Sequence, residues 1–129
     1  MKEEDVMHLV KALLEREGAS WTEEDGWLRF RLQHGAMLWE TACRAAPGAL
    51  LVYARYPFHP ADAAKALRLC GEINSRLVRG AMFPAEDGGL VYRCRAELDD
   101  VFGAEERLSE TLAYSAQVMA HFWGRLSGL

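Results

Sequence analysis

An α+β fold in one domain, residues 1 to 129, is what the sequence predicts. Three observations carry that expectation. Apolar residues recur every three or four positions in three stretches and every second position in others, which separates helices from half-buried strands. The strand-like stretches follow one another through short turn sequences, as antiparallel neighbours do. With 129 residues, half of them apolar, the chain is long enough to bury a core without disulfide or metal staples. The simplest arrangement that buries every apolar face is a five-stranded antiparallel sheet with three helices, in the order α-β-β-β-α-β-β-α.

Each element has its own justification. Residues 3 to 17 place Val6, Val10, Leu13 and Leu14 on one helical stripe, and Gly18 stops the helix. "WLRFRL" (27 to 32) alternates Leu28, Phe30 and Leu32 against Trp27, Arg29 and Arg31, the period of a strand with one buried face. His34-Gly35 turns the chain into "AMLWETACR" (36 to 44), and Pro47-Gly48 turns it again into "ALLVYARY" (49 to 56), which completes a three-stranded meander. From 57 to 80 the period changes: Ala63, Leu67, Cys70, Asn74 and Leu77 form the expected inward stripe, with Pro60 in the first turn and Gly80 at the end. A hairpin follows. "AMFP" (81 to 84) pairs across the Gly88-Gly89 turn with a strand whose Leu90, Tyr92, Cys94, Ala96 and Leu98 share the buried face, opposite Arg93, Arg95 and Glu97. The last helix, from Glu105, aligns Leu108, Leu112, Met119, Phe122, Trp123 and Leu126.

Composition narrows the function. The net charge of −4 comes from interspersed signs with no basic stripe to neutralise phosphates, so nucleic acid is not an expected partner. No run of about 18 apolar residues exists to cross a bilayer, and the first residues lack a secretory signal, so the expected compartment is the cytoplasm. Cys43, Cys70 and Cys94 are odd in number and far apart, and are expected to be free, buried thiols. His8, His34, His59 and His121 have no His or Cys at metal-ligand spacing, so no metal or cofactor is expected.

Local chemistry is sparse as well. His59 with Asp62 is the best local constellation, although an aspartate that starts a helix explains it without catalysis. There is no GxSxG elbow, and Gly88-Gly89 is turn chemistry rather than a phosphate loop. Asn74 interrupts an apolar stripe and is expected to hydrogen-bond the backbone of a neighbouring strand.

The strand 49 to 56 raises the main question. Leu50, Val52, Ala54 and Tyr56 can face the core, which turns Leu51, Tyr53 and Arg55 to the opposite side. Trp27 joins them from the first strand, with Leu38 or Trp39 depending on register. Rimmed by Arg29, Arg31 and Arg55, this patch reads either as a contact surface or as a face covered by one of the chain's own helices.

The run from "LLVYARYPF" through "EINSRLVRG" to "AMFPAEDGGLVYRCRAELDD" and a long closing helix resembles the YbjN-like bacterial sensory transduction regulator family, whose fold is similar to type III secretion chaperones. The likeness spans residues 49 to 127, and the first third matches only in element order. It implies a meander completed by a hairpin arriving after a helix, association into a homodimer, and a surface that holds other polypeptides without a catalytic centre. The expected function is therefore a non-catalytic protein-binding module, regulatory or chaperone-like, with Leu51, Tyr53, Arg29, Arg55 and Trp27 as partner-binding residues. The alternative is a small-molecule-sensing or enzymatic domain with a pocket between the sheet and the third helix.

Overall fold

The period-two stretches become strands and the longer-period stretches helices in the computed structural model, which describes residues 1–129. The elements are α1 (Glu3–Arg16), β1 (Trp21–Glu24), β2 (Trp27–His34), β3 (Met37–Ala46), β4 (Ala49–Arg55), α2 (Ala63–Asn74), β5 (Ala81–Pro84), β6 (Leu90–Glu97) and α3 (Ala104–Ser127). The sheet is antiparallel and has six strands rather than five, in the order β1-β2-β3-β4-β6-β5.

The additional strand is β1, "WTEE", too short and polar to show a buried face by alternation. Its pairing with β2 is enforced by Asp25-Gly26, both at positive φ (53° and 81°). That is the backbone of a two-residue hairpin turn whose twist matches the flanking strands, and Asp-Gly is among the pairs best able to adopt it.

The hairpin after α2 does not simply extend the meander. β6 slips between β4 and β5, pairing from Ala49–Glu97 to Arg55–Val91 on one side and from Ala81–Arg93 to Pro84–Leu90 on the other. β5 is only half as long as β6, so Cys94–Glu97 has no strand beside it on the side away from β4. Gly80 marks the point of divergence. Its φ is +74°, and a Cβ there would lie 2.3 Å from the Arg93 carbonyl oxygen, so only glycine fits. Beyond it, two arginines approach the exposed backbone: Arg79 donates from Nη2 to the Arg95 carbonyl (3.3 Å), and Arg107 from Nε to the Glu97 carbonyl (2.8 Å).

All three helices lie on the same side of the sheet. α1 buries Val6, Val10, Leu13 and Leu14, and α3 buries Leu108, Val118, Met119, Phe122 and Leu126. Both stripes join Leu28, Phe30, Trp39, Cys43, Leu50, Val52, Tyr92 and Cys94 in one core of 28 residues. Pairing of Leu32 with Trp39 resolves the β3 register: Trp39 is inward and buried, and Leu38 is outward. The Tyr56 hydroxyl donates to the Met119 carbonyl (2.9 Å) and ties the end of β4 to α3.

α2 differs from expectation in both extent and rotation. Asp62 caps it by accepting from the Lys65 amide (3.0 Å), so Pro60 lies outside the helix. Ala66, Leu69, Cys70 and Ile73 face inward, while Ala63, Leu67 and Asn74 are exposed. The physical reason is Asn74. Its amide reaches across to β5, donating to the Met82 carbonyl (2.9 Å) and accepting from the Met82 amide (2.7 Å). This clamp mimics a strand partner on β5, the outer strand of the hairpin, and sets the helix rotation that leaves Leu67 in solvent.

Candidate functional site: the uncovered sheet face

The side of the sheet opposite the helices is built by the second half of each alternation. Cross-strand pairing arranges it in rows. Trp27, Arg44, Leu51 and Arg95 make one row; Arg29, Ala42, Tyr53, Arg93 and Ala81 the next; and Arg31, Glu40, Arg55, Val91 and Phe83 a third. No residue of these rows belongs to the core cluster. The five expected partner-binding residues, Trp27, Arg29, Leu51, Tyr53 and Arg55, therefore lie on one face, and the chain's own helices do not cover it.

At the centre, Trp27 and Tyr53 meet edge to face with ring centroids 5.4 Å apart. The Arg44 guanidinium sits 5.4 Å from the Trp27 ring centroid, where the ring quadrupole attracts a cation. A shallow depression of about 180 Å³ lies between Trp27, Arg29, Tyr53 and Arg55, floored by Ala42 and Val91. Small floor residues between large walls leave the aromatic edges standing.

Two of the expected arginines already hold carboxylates. Arg29 pairs with Glu40 (3.3 Å) and Arg55 with Asp87 (2.9 Å), both in solvent, where such pairs contribute little to stability. Asp87 also accepts from the Gly89 amide (2.9 Å), and this bond, followed by that from Arg55, holds its carboxyl below the usual carboxylate range. Arg31, Arg44 and Arg93 form no ion pair. Arg29, Arg31 and Arg55 lie beside the apolar patch by strand alternation alone, whereas Arg44 and Arg93 join it only through the pairing register.

Other candidates disperse. Asp62 is used as a helix cap, and His59 lies 4.0 Å from Asp87 instead. The histidines remain on separate elements, and no group of three or more His, Cys, Asp or Glu side chains is arranged to hold a metal ion. Cys43, Cys70 and Cys94 are buried and free of disulfides. Burial pushes all three thiols up, that of Cys94 to about 11 despite the opposing pull of Arg79. These are packing thiols rather than nucleophiles.

A second, larger cavity of about 730 Å³ opens where β6 outruns β5. Its walls come from Leu51 and Arg95 on the sheet, Arg79 on the loop before β5, and Arg107, Glu110 and Thr111 on α3. No helix of the chain is long and apolar enough to cross a membrane.

Compared with models of known protein families, with curated proteins and with solved structures, the chain finds no match.

Proposed function

We propose that the chain is a non-catalytic protein-binding module, regulatory or chaperone-like, acting as a homodimer in the bacterial cytoplasm and presenting its uncovered sheet face to a polypeptide partner. The observation supporting this reading is that Trp27, Leu51 and Tyr53 stay partly exposed on a face that no helix of the chain packs against. Ordinary folds put a polar surface at such a place, because apolar area left in water is unfavourable by roughly 25 cal/mol per Å². A partner's apolar segment laid over the Trp27–Tyr53 edge would recover that free energy. Arg44 and Arg93 would meet acidic flanks directly, and Arg29 and Arg55 would exchange Glu40 and Asp87 for carboxylates of the partner. The resemblance to the YbjN-like regulators and to secretion-chaperone folds points the same way.

Leu51→Asp tests this reading. The substitution places a charge in the proposed contact while leaving every core position intact, so the thermal melt should be unchanged and capture of a partner by the purified protein should be lost. A mutant that captures the same partner as the wild type would exclude this face. Light scattering on both proteins separates loss of a partner from loss of self-association.

A further inference from the structure

The cavity beside β6 is the place where this acidic chain concentrates positive charge. We propose that it is a binding site for a small multiply charged oxyanion, a phosphate ester or a polycarboxylate, held by Arg79, Arg93, Arg95 and Arg107.

Four arginines line one cavity because β6 is inserted next to β4 while β5 begins only at Ala81, opposite Arg93, which leaves a gap beside the rest of β6 bridged only by side chains. Two glutamates share the wall. Glu97 is engaged by Arg95 (2.7 Å), and Glu110 forms no ion pair. Arg79, Arg93 and Arg107 have no carboxylate partner at all, although the chain carries 19 acidic residues against 15 basic ones. Like charges gathered around one cavity repel one another, and an anion between them removes that cost.

Two of the arginines are also held in place. Arg107 donates to three carbonyls: Glu97 from Nε (2.8 Å), Phe102 from Nη1 (2.7 Å) and Asp100 from Nη2 (2.7 Å). Arg79 donates from Nη2 to Thr111 Oγ1 (2.6 Å) and to the Arg95 carbonyl, with its guanidinium 5.4 Å from the Tyr114 ring centroid. Each therefore keeps unused N–H donors in a fixed orientation, the condition under which a planar fork binds an oxyanion at small entropic cost. Arg93 and Arg95 are exposed on the sheet side of the cavity, where Arg95 donates from Nε to Glu97. The capped carbonyls also argue against an added peptide strand, which would need those same acceptors.

The experiment is a titration of ¹⁵N-labelled protein with inorganic pyrophosphate and, separately, with citrate at constant ionic strength, following backbone amides and arginine Nε–H signals. Saturable shifts at Gly80, Ala81, Cys94 and the Arg79 and Arg107 Nε–H groups are expected with at least one probe. Saturation by pyrophosphate alone assigns phosphate esters, and by citrate alone polycarboxylates. Arg93→Ala, which removes an exposed cation of the cavity wall that forms no ion pair, should weaken binding by about tenfold or more without changing the thermal melt. Arg44→Ala, an unpaired cation on the same face outside the cavity, should leave it unchanged. Absence of saturation with both probes up to about 10 mM, which corresponds to negligible affinity, overturns the proposal. Equal weakening by Arg44→Ala overturns it too, since that result reflects surface charge rather than a site.

Discussion

The two faces of one sheet have opposite fates although their residues alternate along the same strands. Leu50 is buried under α1 and α3, while Leu51, one residue on, looks out beside Arg44 and Arg95. The inner face is aliphatic and aromatic with buried thiols, and three helices cover it. The outer face sets Trp27, Leu51 and Tyr53 among arginines, and nothing in the chain covers it. The difference teaches that burial here follows mainly the side the helices reach, with Val91, closed in by its outer-face neighbours, the one buried residue of the outer rows.

Several substitutions and conditions test how complete this division is. Leu50→Asp should abolish the cooperative fold, because an unpaired charge in the core costs several kcal/mol against a total stability of about 5–15. A normal circular dichroism melt for this variant would break the comparison outright. Next in size is alkaline pH. The Cys94 pKa in the folded chain, about 11, lies above its ordinary 9.0, so the neutral thiol's contribution is complete below pH 9 and is lost as pH rises towards 11. That loss is on the order of 2–3 kcal/mol. Denaturant unfolding at pH 8 and pH 11 reads the sum over Cys94, the other buried thiols and the buried tyrosines, and the smaller slope of Cys94→Ala isolates the Cys94 share.

Asn74→Ala removes both hydrogen bonds to Met82 and should cost about 1–3 kcal/mol, read as a lower denaturant midpoint. An unchanged midpoint would mean that packing alone docks α2 onto the hairpin. The smallest effects belong to the outer face. Arg29→Ala, which breaks an exposed pair with Glu40, should shift stability by about 1 kcal/mol or less. A larger shift in the same unfolding experiment would show that the outer face contributes to the fold it was thought only to decorate.

Much of this division was readable in the sequence, and its gaps have physical causes. The alternations in β2, β4 and β6 assigned Leu28, Leu50, Val52, Tyr92 and Cys94 inward and Trp27, Arg29 and Leu51 outward, because each strand has one apolar side. β1 escaped notice because "WTEE" has no such side, even though Asp25-Gly26 announced the hairpin. The face of α2 is ambiguous in the sequence because two overlapping series, through Leu67 and Asn74 or through Leu69 and Ile73, are both compatible with helical spacing. Only the bond from Asn74 to Met82 separates them. The arginine cavity was not legible at all. Arg79, Arg95 and Arg107 belong to a loop, a strand and a helix, and β6 brings them together by entering the sheet out of sequence order.

The arginine caps on β6 have one more consequence. A strand with free acceptors along its side is a template on which another chain can continue the sheet, the first step towards ribbons and fibrils. Here the carbonyls of Arg95 and Glu97 already accept from Arg79 and Arg107. A second molecule arriving edge-on meets cations instead of vacant acceptors, so crowded copies of this protein are steered away from end-to-end growth through that stretch.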